Sequence, residues 1–251
     1  MKSKTTNAII DIVDDLFAKM SKSFLGFDPK SKTLDGGGRN LISIFMTGLN
    51  TTSPTSEEKD ILKTSLRITE AYIDGLKSRT QTRILDKINS EVESYSSRSE
   101  QLSLNKIREI MGKEFSLAGN NFKIAINSEA NKIRNLSTAM KIEKLSTAKG
   151  IKDPYVFWVV TLDEKTADKP EKTLHLIPGT TTPRVWRLSE IKHEFWKKGM
   201  EQTSIYGGHP HCRCVLTYMA PGWGFDAKGK VKYRGRGHDE YSFQKKQYKL
   251  G

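Results

Sequence analysis

Six consecutive residues, His209 to Cys214, bring together the side chains of this chain that are best suited to metal binding or nucleophilic chemistry. The segment reads His-Pro-His-Cys-Arg-Cys and contains both cysteines and two of the five histidines. We expect its two thiols, which are separated by one residue, to reach one metal ion only if the chain bends, and their spacing suits a mutual disulfide poorly. The alternative is that both cysteines are small buried residues at the start of a strand over Val215 to Met219.

Other titratable residues permit an enzymatic hypothesis. A metal-dependent nuclease needs metal ligands and a general base, and the candidates are His209, His211, His238, Asp239 and Glu240. However, the sequence has no HNH or P-D-x-E-x-K spacing, and Cys212 beside His211 makes a poor nucleophile pair because neighbours on a strand point apart. We therefore expect no enzymatic activity and keep a nuclease as the alternative.

The charge of the chain favours a polyanionic partner. Its 42 Lys and Arg residues exceed its 29 Asp and Glu residues, which gives a formal net charge of +13. Such an excess favours nucleic acid, although a basic face can also dock on an acidic protein. The basic residues of the C-terminal segment alternate with aromatic ones, and we predict that eight of them contact DNA: Lys228, Lys230, Lys232, Arg234, Arg236, Lys245, Lys246 and Lys249. The alternative is a solvated tail that lies across a neighbouring subunit.

Apolar residues at intervals of three and four predict a helical N-terminal part. The pattern indicates an amphipathic helix over 7–25, and a long stripe of the same kind runs from 56 to 95. The long stripe begins at Thr55 or Ser56 as the cap and forms either one arm or two helices broken near 75–82. Two more helices follow, and Gly119-Asn120-Asn121 is predicted as the turn between them.

The pattern changes at Gly150, where a β-branched and aromatic stretch, 155–161, predicts a strand. The predicted fold class is α+β, with an extended helical N-terminal part and a small mixed α+β C-terminal domain that carries a basic tail. The predicted segments are 1–54, 55–149, 150–220 and 221–251. We find neither a signal peptide nor an apolar run that could cross a bilayer, and two cysteines favour a reducing compartment.

The order of the C-terminal motifs resembles a known family. Trp158 to Thr166, then Leu174-His175, then the closing His-Pro-His-Cys-Arg-Cys resemble the conserved module of phage minor head (head morphogenesis) proteins, the family of Mu protein F and the SPP1 minor head protein. The resemblance covers roughly 120–220 and puts Ser128-Glu129 where the family has a helical Thr-Glu pair. It assigns a structural motif to Trp158, Asp163, Thr166, His175, His209, Pro210, Cys212, Arg213 and Cys214.

The chain departs from the family at the metal site. The first cysteine pair of the family falls on Ala167 and Pro170, so zinc could not be held by four cysteines here. We expect no cofactor. Zinc is the alternative, with ligands drawn from His175, His209, His211, Cys212 and Cys214. Without metal, we expect Asp163 and Arg213 to pair and His209 to bond the backbone.

The resemblance implies a structural minor capsid protein of a tailed bacteriophage. It would lie inside the virion head near the portal vertex, having assembled in the host cytoplasm. Its expected partners are the portal protein, the major capsid protein or both, together with double-stranded DNA bound without sequence selectivity. Expected roles are head morphogenesis, genome packaging and genome ejection, with neither a membrane nor a small-molecule substrate. The alternatives are a metal-dependent nuclease or another DNA-binding phage protein that acts in packaging.

Overall fold

The fold was analysed in a computed structural model of the chain. The structure describes residues 2–25, 27–28, 33–34, 41–98, 103–169, 171–194, 196–207 and 212–250. Two compact units are present. One comprises Met1–Ser43 and Thr55–Asn127, and the other comprises Ile44–Pro54 and Ser128–Gly251. The predicted α+β class is confirmed, since helices dominate the N-terminal part and short antiparallel strands follow.

Four helices precede the main sheet. They are α1 (Lys2–Leu25), α2 (Leu41–Leu49), α3 (Ser56–Ser97) and α4 (Leu104–Ala148), with a ribbon of β1 (Phe27–Asp28) and β2 (Thr33–Leu34) after α1. Of the two predicted caps of α3, Thr55 is confirmed: its hydroxyl accepts from Glu58 N at 3.2 Å, and the Glu58 carboxylate accepts from Thr55 N at 2.7 Å. Ser56 is the first residue of the helix. No helix in the described part of the chain is both long and apolar enough to cross a membrane.

Helix α4 continues through the segment predicted as a turn, so that prediction is wrong. Gly119-Asn120-Asn121 lies inside the helix, and the flanking Ala118 and Phe122 are buried. The Phe122 ring meets the edge of Phe17 with ring centroids 6.1 Å apart. A glycine inside a helix costs about 1 kcal/mol, whereas burying a phenylalanine side chain contributes roughly 1.5–3 kcal/mol. Packing therefore outweighs the local preference for a turn. Likewise, α3 is one helix rather than two.

The helices of the first unit also share one buried ionic group. Glu114 of α4 is almost fully buried and lies opposite two cations of α3. Its carboxylate is 3.1 Å from Arg83 Nε and 2.5 Å from Lys87 Nζ. Two cations compensate one buried carboxylate, which would be costly to bury alone.

A three-stranded antiparallel sheet forms the centre of the second unit. Its strands are β3 (Tyr155–Val159), β4 (Val185–Arg187) and β5 (Val215–Met219), in the order β4-β3-β5. The strand predicted over Val215 to Met219 is confirmed, and the strand predicted from 155 ends at Val159. Alternate residues of β3 face opposite sides, so that Val156 and Trp158 pack with Ala139 and Ile142 of α4.

The other face of the sheet is covered by the segment predicted as a basic tail. Strands β6 (Trp223–Phe225) and β7 (Val231–Tyr233) form a hairpin that is followed by helix α5 (Glu240–Tyr248). Phe225 packs edge-on against Phe157 at 5.1 Å, and the buried Gln244 accepts a hydrogen bond from Val185 N at 2.9 Å. The segment 221–251 thus belongs to the second unit rather than forming a tail, because the apolar face of the sheet needs a cover.

The division between the units also differs from the predicted boundary at 149–150. It falls within α4, between Asn127 and Ser128, because the last turns of that helix pack against the sheet. Helix α4 ends in a Schellman motif: Gly150 has φ +73°, Ile151 N donates to Ser146 O at 2.9 Å, and Gly150 N donates to Thr147 O at 3.0 Å.

Two glycines, one inside α4 and one at its C-terminal cap, predict opposite effects of alanine. Gly119→Ala should raise the free energy of unfolding by about 0.5–1 kcal/mol, because it removes unfolded-state freedom and the space around the new methyl group is open. Gly150→Ala should lower it by about 1–2 kcal/mol, because the left-handed conformation is strained for alanine. Urea denaturation followed by circular dichroism measures both. If Gly119→Ala lowered the free energy of unfolding instead, the result would favour the predicted turn at Gly119-Asn120-Asn121 over a continuous helix.

Candidate functional site

Three buried side chains from two separate segments meet beside the sheet. His175 ends a short π-helical turn, Glu171–His175, while Cys212 and Cys214 immediately precede β5. The His175, Cys212 and Cys214 side chains are 0, 4 and 1 % exposed. Their potential ligand atoms lie within 4.8 Å of one another. The structure thus brings together three of the five predicted metal-ligand candidates, while His209 and His211, like Pro210 of the structural motif, lie outside the described residues.

The expectation that a bend must bring the thiols together is wrong. Residues two positions apart on an extended chain share a face, so Cys212 and Cys214 both point inward while Arg213 points outward. Gly207 makes room for this arrangement. Its φ is +92°, and a Cβ added there would lie 3.2 Å from both Cβ and Sγ of Cys212.

Two asparagines of α4 hold the backbone at the start of β5. Asn131 Nδ2 donates to Cys212 O at 2.7 Å and to Cys214 O at 3.0 Å. Asn135 Nδ2 donates to Cys214 O at 3.1 Å, and its Oδ1 accepts from Leu216 N at 3.0 Å. Our sequence analysis missed both residues. The sequence pattern that could have indicated them is a pair of amides four positions apart, on a helix face that otherwise carries mainly apolar residues.

His175 is held from two sides. Its ring stacks on Trp158 with centroids 4.7 Å apart and planes inclined by 20°. Its Nε2 is 2.7 Å from the hydroxyl of Thr203, which is fully buried. The predicted motif residues Trp158 and His175 are therefore in contact, and Thr203 is a third member that no sequence motif indicated.

The two thiols are not joined in a disulfide, and the surroundings of Cys214 favour its protonated state. Contact with the Cys212 thiol, then burial, and then the nearby carboxylate of Glu171 raise the pKa of Cys214. Cys214 Sγ lies 3.5 Å from Glu171 Oε1, whose partner oxygen accepts from Ala167 N at 2.5 Å. Glu171, which sequence analysis also missed, thus connects Cys214 to Ala167.

Three of these residues could hold a metal ion such as zinc. Zinc prefers four N, S or O ligands in a tetrahedron, and His175, Cys212 and Cys214 supply three. The Glu171 carboxylate lies 3.5 Å from the Cys214 thiol but does not belong to this cluster, so the described residues supply no fourth ligand. A bound zinc ion would displace the thiol protons and link the start of β5 to the 171–175 turn. Both the expectation of no cofactor and the zinc alternative stay predictions.

The predicted pair between Asp163 and Arg213 is confirmed. Arg213 Nη1 and Nη2 donate to the two carboxylate oxygens of Asp163 at 2.7 and 2.6 Å, across 50 residues of sequence. Thr166 supports the pair, because its hydroxyl accepts from Asp163 N at 2.8 Å and donates to Thr161 O at 2.9 Å. The Arg213 guanidinium holds the pKa of Asp163 at about 2.

The other nuclease candidates stabilise the fold around α5. His238 Nε2 is 2.6 Å from Glu240 Oε2, and Glu240 also accepts from Gln244 at 3.0 Å. Asp239 caps α5 by accepting from Ser242 N at 3.1 Å, and it accepts from the Tyr155 hydroxyl at 3.0 Å. Among the residues that the structure describes, none of these three acids and bases belongs to a cluster with metal-ligand spacing.

The eight predicted DNA-contacting cations fall into two sets. Arg234 donates to Phe225 O within the hairpin, and Lys245 lies 3.6 Å from Glu190 and over the ring of Tyr241. The remaining six are exposed on the hairpin, on the following loop and on or just after α5: Lys228, Lys230, Lys232, Arg236, Lys246 and Lys249.

Comparisons of the chain with protein-family models, with curated proteins and with solved structures give no match. The resemblance to phage minor head proteins therefore rests on the motif residues themselves. The described motif residues fall into two adjoining groups, the buried cluster around His175 and the exposed pair of Asp163 with Arg213.

The Asp163–Arg213 pair predicts an acid titration. The Asp163 carboxyl should titrate near pH 2 in the native protein, and in Arg213→Gln its pKa should rise toward 3.8. Because the folded-state pKa is depressed, the stabilising effect is present above about pH 4 and is lost as the pH falls toward 2. Carbon-detected NMR of the carboxyl group measures this pKa. Lys165→Gln is the matched control, because Lys165 donates to Asp163 through its backbone N–H, which glutamine keeps. An unchanged Asp163 pKa in Arg213→Gln would contradict the pairing.

Burial and the raised pKa of Cys214 predict that the thiols of the reduced native protein are unreactive. We expect that iodoacetamide at pH 7 labels neither Cys212 nor Cys214 in the time that it needs to label an exposed cysteine. Both thiols are buried, and the raised pKa of Cys214 disfavours the thiolate, which is the reactive species. Both should react in urea. Mass spectrometry counts the labels, and elemental analysis of the wild type and Cys212→Ser shows whether zinc contributes to this protection. Rapid native labelling without urea would contradict the described site.

Proposed function

We propose that the chain is a structural minor head protein of a tailed bacteriophage, located inside the head near the portal vertex and in contact with packaged DNA. The observation that carries the proposal is the Asp163–Arg213 pair beside the buried Cys/His cluster. These residues occur as separate motifs in the sequence, in the order typical of the minor head family, and they share one structural role. They fix the start of β5 to the loop after β3.

The character of this site favours a structural role over catalysis. Its cysteines and histidine are at most 4 % exposed, so a substrate has no access to them. The acids that a nuclease would use are engaged: Asp239 caps α5, and Glu240 pairs with His238. An active site needs a reachable nucleophile or metal and a base with room for substrate. The proposal is therefore that the chain is not an enzyme.

The long helices are the proposed contacts with other head proteins. Helices α3 and α4 comprise 42 and 45 residues, far beyond the usual 10–14 residues or so of globular helices. They carry exposed apolar side chains, among them Tyr72, Leu104 and Leu117. Under this proposal, they bind the portal protein, the major capsid protein or both during head morphogenesis.

The exposed cations are the proposed contacts with DNA. Six of the eight predicted cations project from the hairpin, the following loop and the α5 region, where lysine and arginine can neutralise phosphates. Binding of this type is independent of base sequence, which suits a protein that meets the whole genome during packaging and ejection.

The test of the proposal is the fate of the chain in infected cells. In cells infected by the phage that encodes it, the chain should co-purify with DNA-filled heads and resist removal by salt washes of intact particles. Deleting the gene should abolish infectious particles, and complementation with Asp163→Asn should restore fewer of them than Asp168→Asn, because Asp168 forms an exposed pair with Lys172, four residues away. Mass spectrometry and plaque counts measure these results.

Two results would contradict the proposal. One is the absence of the chain from purified particles at every stage of assembly. The other is divalent-metal cleavage of DNA by the pure protein that disappears on changing His209 or His211, which would assign the nuclease function instead.

A further inference from the structure

A pocket of about 260 Å³ opens beside the β6–β7 hairpin in the second unit. Tyr155 and Met219 of the sheet line it, as do Trp223 of β6 and the loop from Arg236 to Glu240. The Trp223 side chain is 41 % exposed although it lines a pocket, and its ring contacts Tyr233 with centroids 5.7 Å apart. The pocket therefore presents an aromatic surface that the fold does not use as core.

Backbone contacts preform the pocket. Gly222 N donates to His238 O at 3.3 Å, and Arg234 N donates to Gly222 O at 2.8 Å, so the two sides of the pocket are tied together. The two backbone segments pass so closely that a Cβ on Gly222, whose φ is +83°, would lie 2.8 Å from Gly235 O. Because the walls are held by main-chain bonds, a ligand need not order them on binding.

The pocket is lined by one arginine and two carboxylates. Its two carboxylates are engaged within the fold, Asp239 by the Tyr155 hydroxyl and by Ser242, and Glu240 by His238 and Gln244. Arg236 lines the pocket and is exposed, and Lys230 and Lys232 are exposed on the adjacent hairpin. A ligand that enters thus meets an aromatic ring and a guanidinium together.

We propose that this pocket takes one unpaired base of single-stranded DNA, which stacks on Trp223 while its phosphate binds Arg236. The inference rests on the proposed function and deepens it, because it names a form of DNA that the basic surface alone does not distinguish. Stacking on an aromatic side chain beside a cationic track is how proteins bind single strands without reading sequence. A base inside a duplex is paired and stacked, so it cannot enter.

An acidic peptide is the other polyanion to consider, and the pocket favours it less. A carboxylate would use Arg236 but would leave the Trp223 ring without a flat partner. A nucleotide uses both groups, because it carries a flat base that can stack on Trp223 and a phosphate that can bind Arg236. DNA that is single-stranded at an end or at a locally opened site provides such a nucleotide.

The test measures the affinity of the full chain for a fluorescent oligothymidylate and for a hairpin duplex with the same number of phosphates, by anisotropy at several salt concentrations. Trp223→Leu and Arg236→Gln should each weaken oligothymidylate binding by about tenfold. Trp223→Leu should leave duplex binding within about twofold of wild type, because phosphate contacts carry duplex binding. Tyr248→Leu is the matched control, since Tyr248 is equally exposed at 41 % but lies outside the pocket, and it should change neither affinity.

A second set of variants separates this inference from the proposed function. The triple variant Lys228→Gln, Lys230→Gln, Lys232→Gln should weaken duplex binding and reduce the salt slope by up to about 0.9 for each phosphate that is no longer neutralised. The matched triple variant of exposed lysines, Lys192→Gln, Lys197→Gln, Lys198→Gln, should change neither duplex binding nor the salt slope. Wild-type protein that binds oligothymidylate but no duplex would support the pocket and contradict the proposed contact with packaged DNA.

Other outcomes would overturn the inference alone. Unchanged oligothymidylate affinity in both Trp223→Leu and Arg236→Gln would remove it while leaving duplex binding as proposed. The inference would also fail if a short polyglutamate peptide, added at the same concentration of charge, displaced the oligothymidylate and tryptophan emission did not change. Thermal unfolding of each variant checks folding, and the exposed Arg236→Gln carries the test if Trp223→Leu is unfolded.

Discussion

The hydrogen bonds from α4 to the start of β5 are the interactions on which the second unit depends. The carbonyl groups of Cys212 and Cys214 lie in a buried segment that precedes the strand, where main-chain groups must find partners. Asn131 and Asn135 supply them, and Asn135 also bonds Leu216 N, the first inward position of β5. With this backbone held, side chains alternate along the chain. Both cysteines point inward to His175, whereas Arg213 points outward to Asp163.

The same unit illustrates a second constraint: this sheet carries apolar residues on both faces, so both faces must be covered. Val156 and Trp158 of β3 face α4, and Phe157 faces the hairpin and α5. The basic C-terminal segment therefore has two structural roles. Its apolar residues Phe225 and Tyr241 complete the core, and its lysines and arginines, excluded from that core, collect on the outside.

This separation of roles links the structure to the proposed function. The cysteine and histidine chemistry that first suggests catalysis is enclosed and serves to hold segments together. The charge that suggests a polyanion partner is exposed on the β6–β7 hairpin, the following loop and the α5 region. A virion component that must persist through packaging and contact DNA of any sequence needs these two properties, a fixed fold and a nonspecific cationic surface, and it needs no reactive centre.

Sequence alone determined the features that depend on local patterns: the α+β class, the start of α3 at a cap on Thr55 or Ser56, and the β5 strand. The complementary charges of Asp163 and Arg213, together with motif order, were enough to predict their pairing. Tertiary structure alone decided that α4 runs through Gly119-Asn120-Asn121, that Asn131 and Asn135 bind the backbone before β5, that Glu171 approaches Cys214, and that 221–251 covers the sheet. In each of these cases the local preference is worth only about 1 kcal/mol, and a buried partner distant in sequence contributes more.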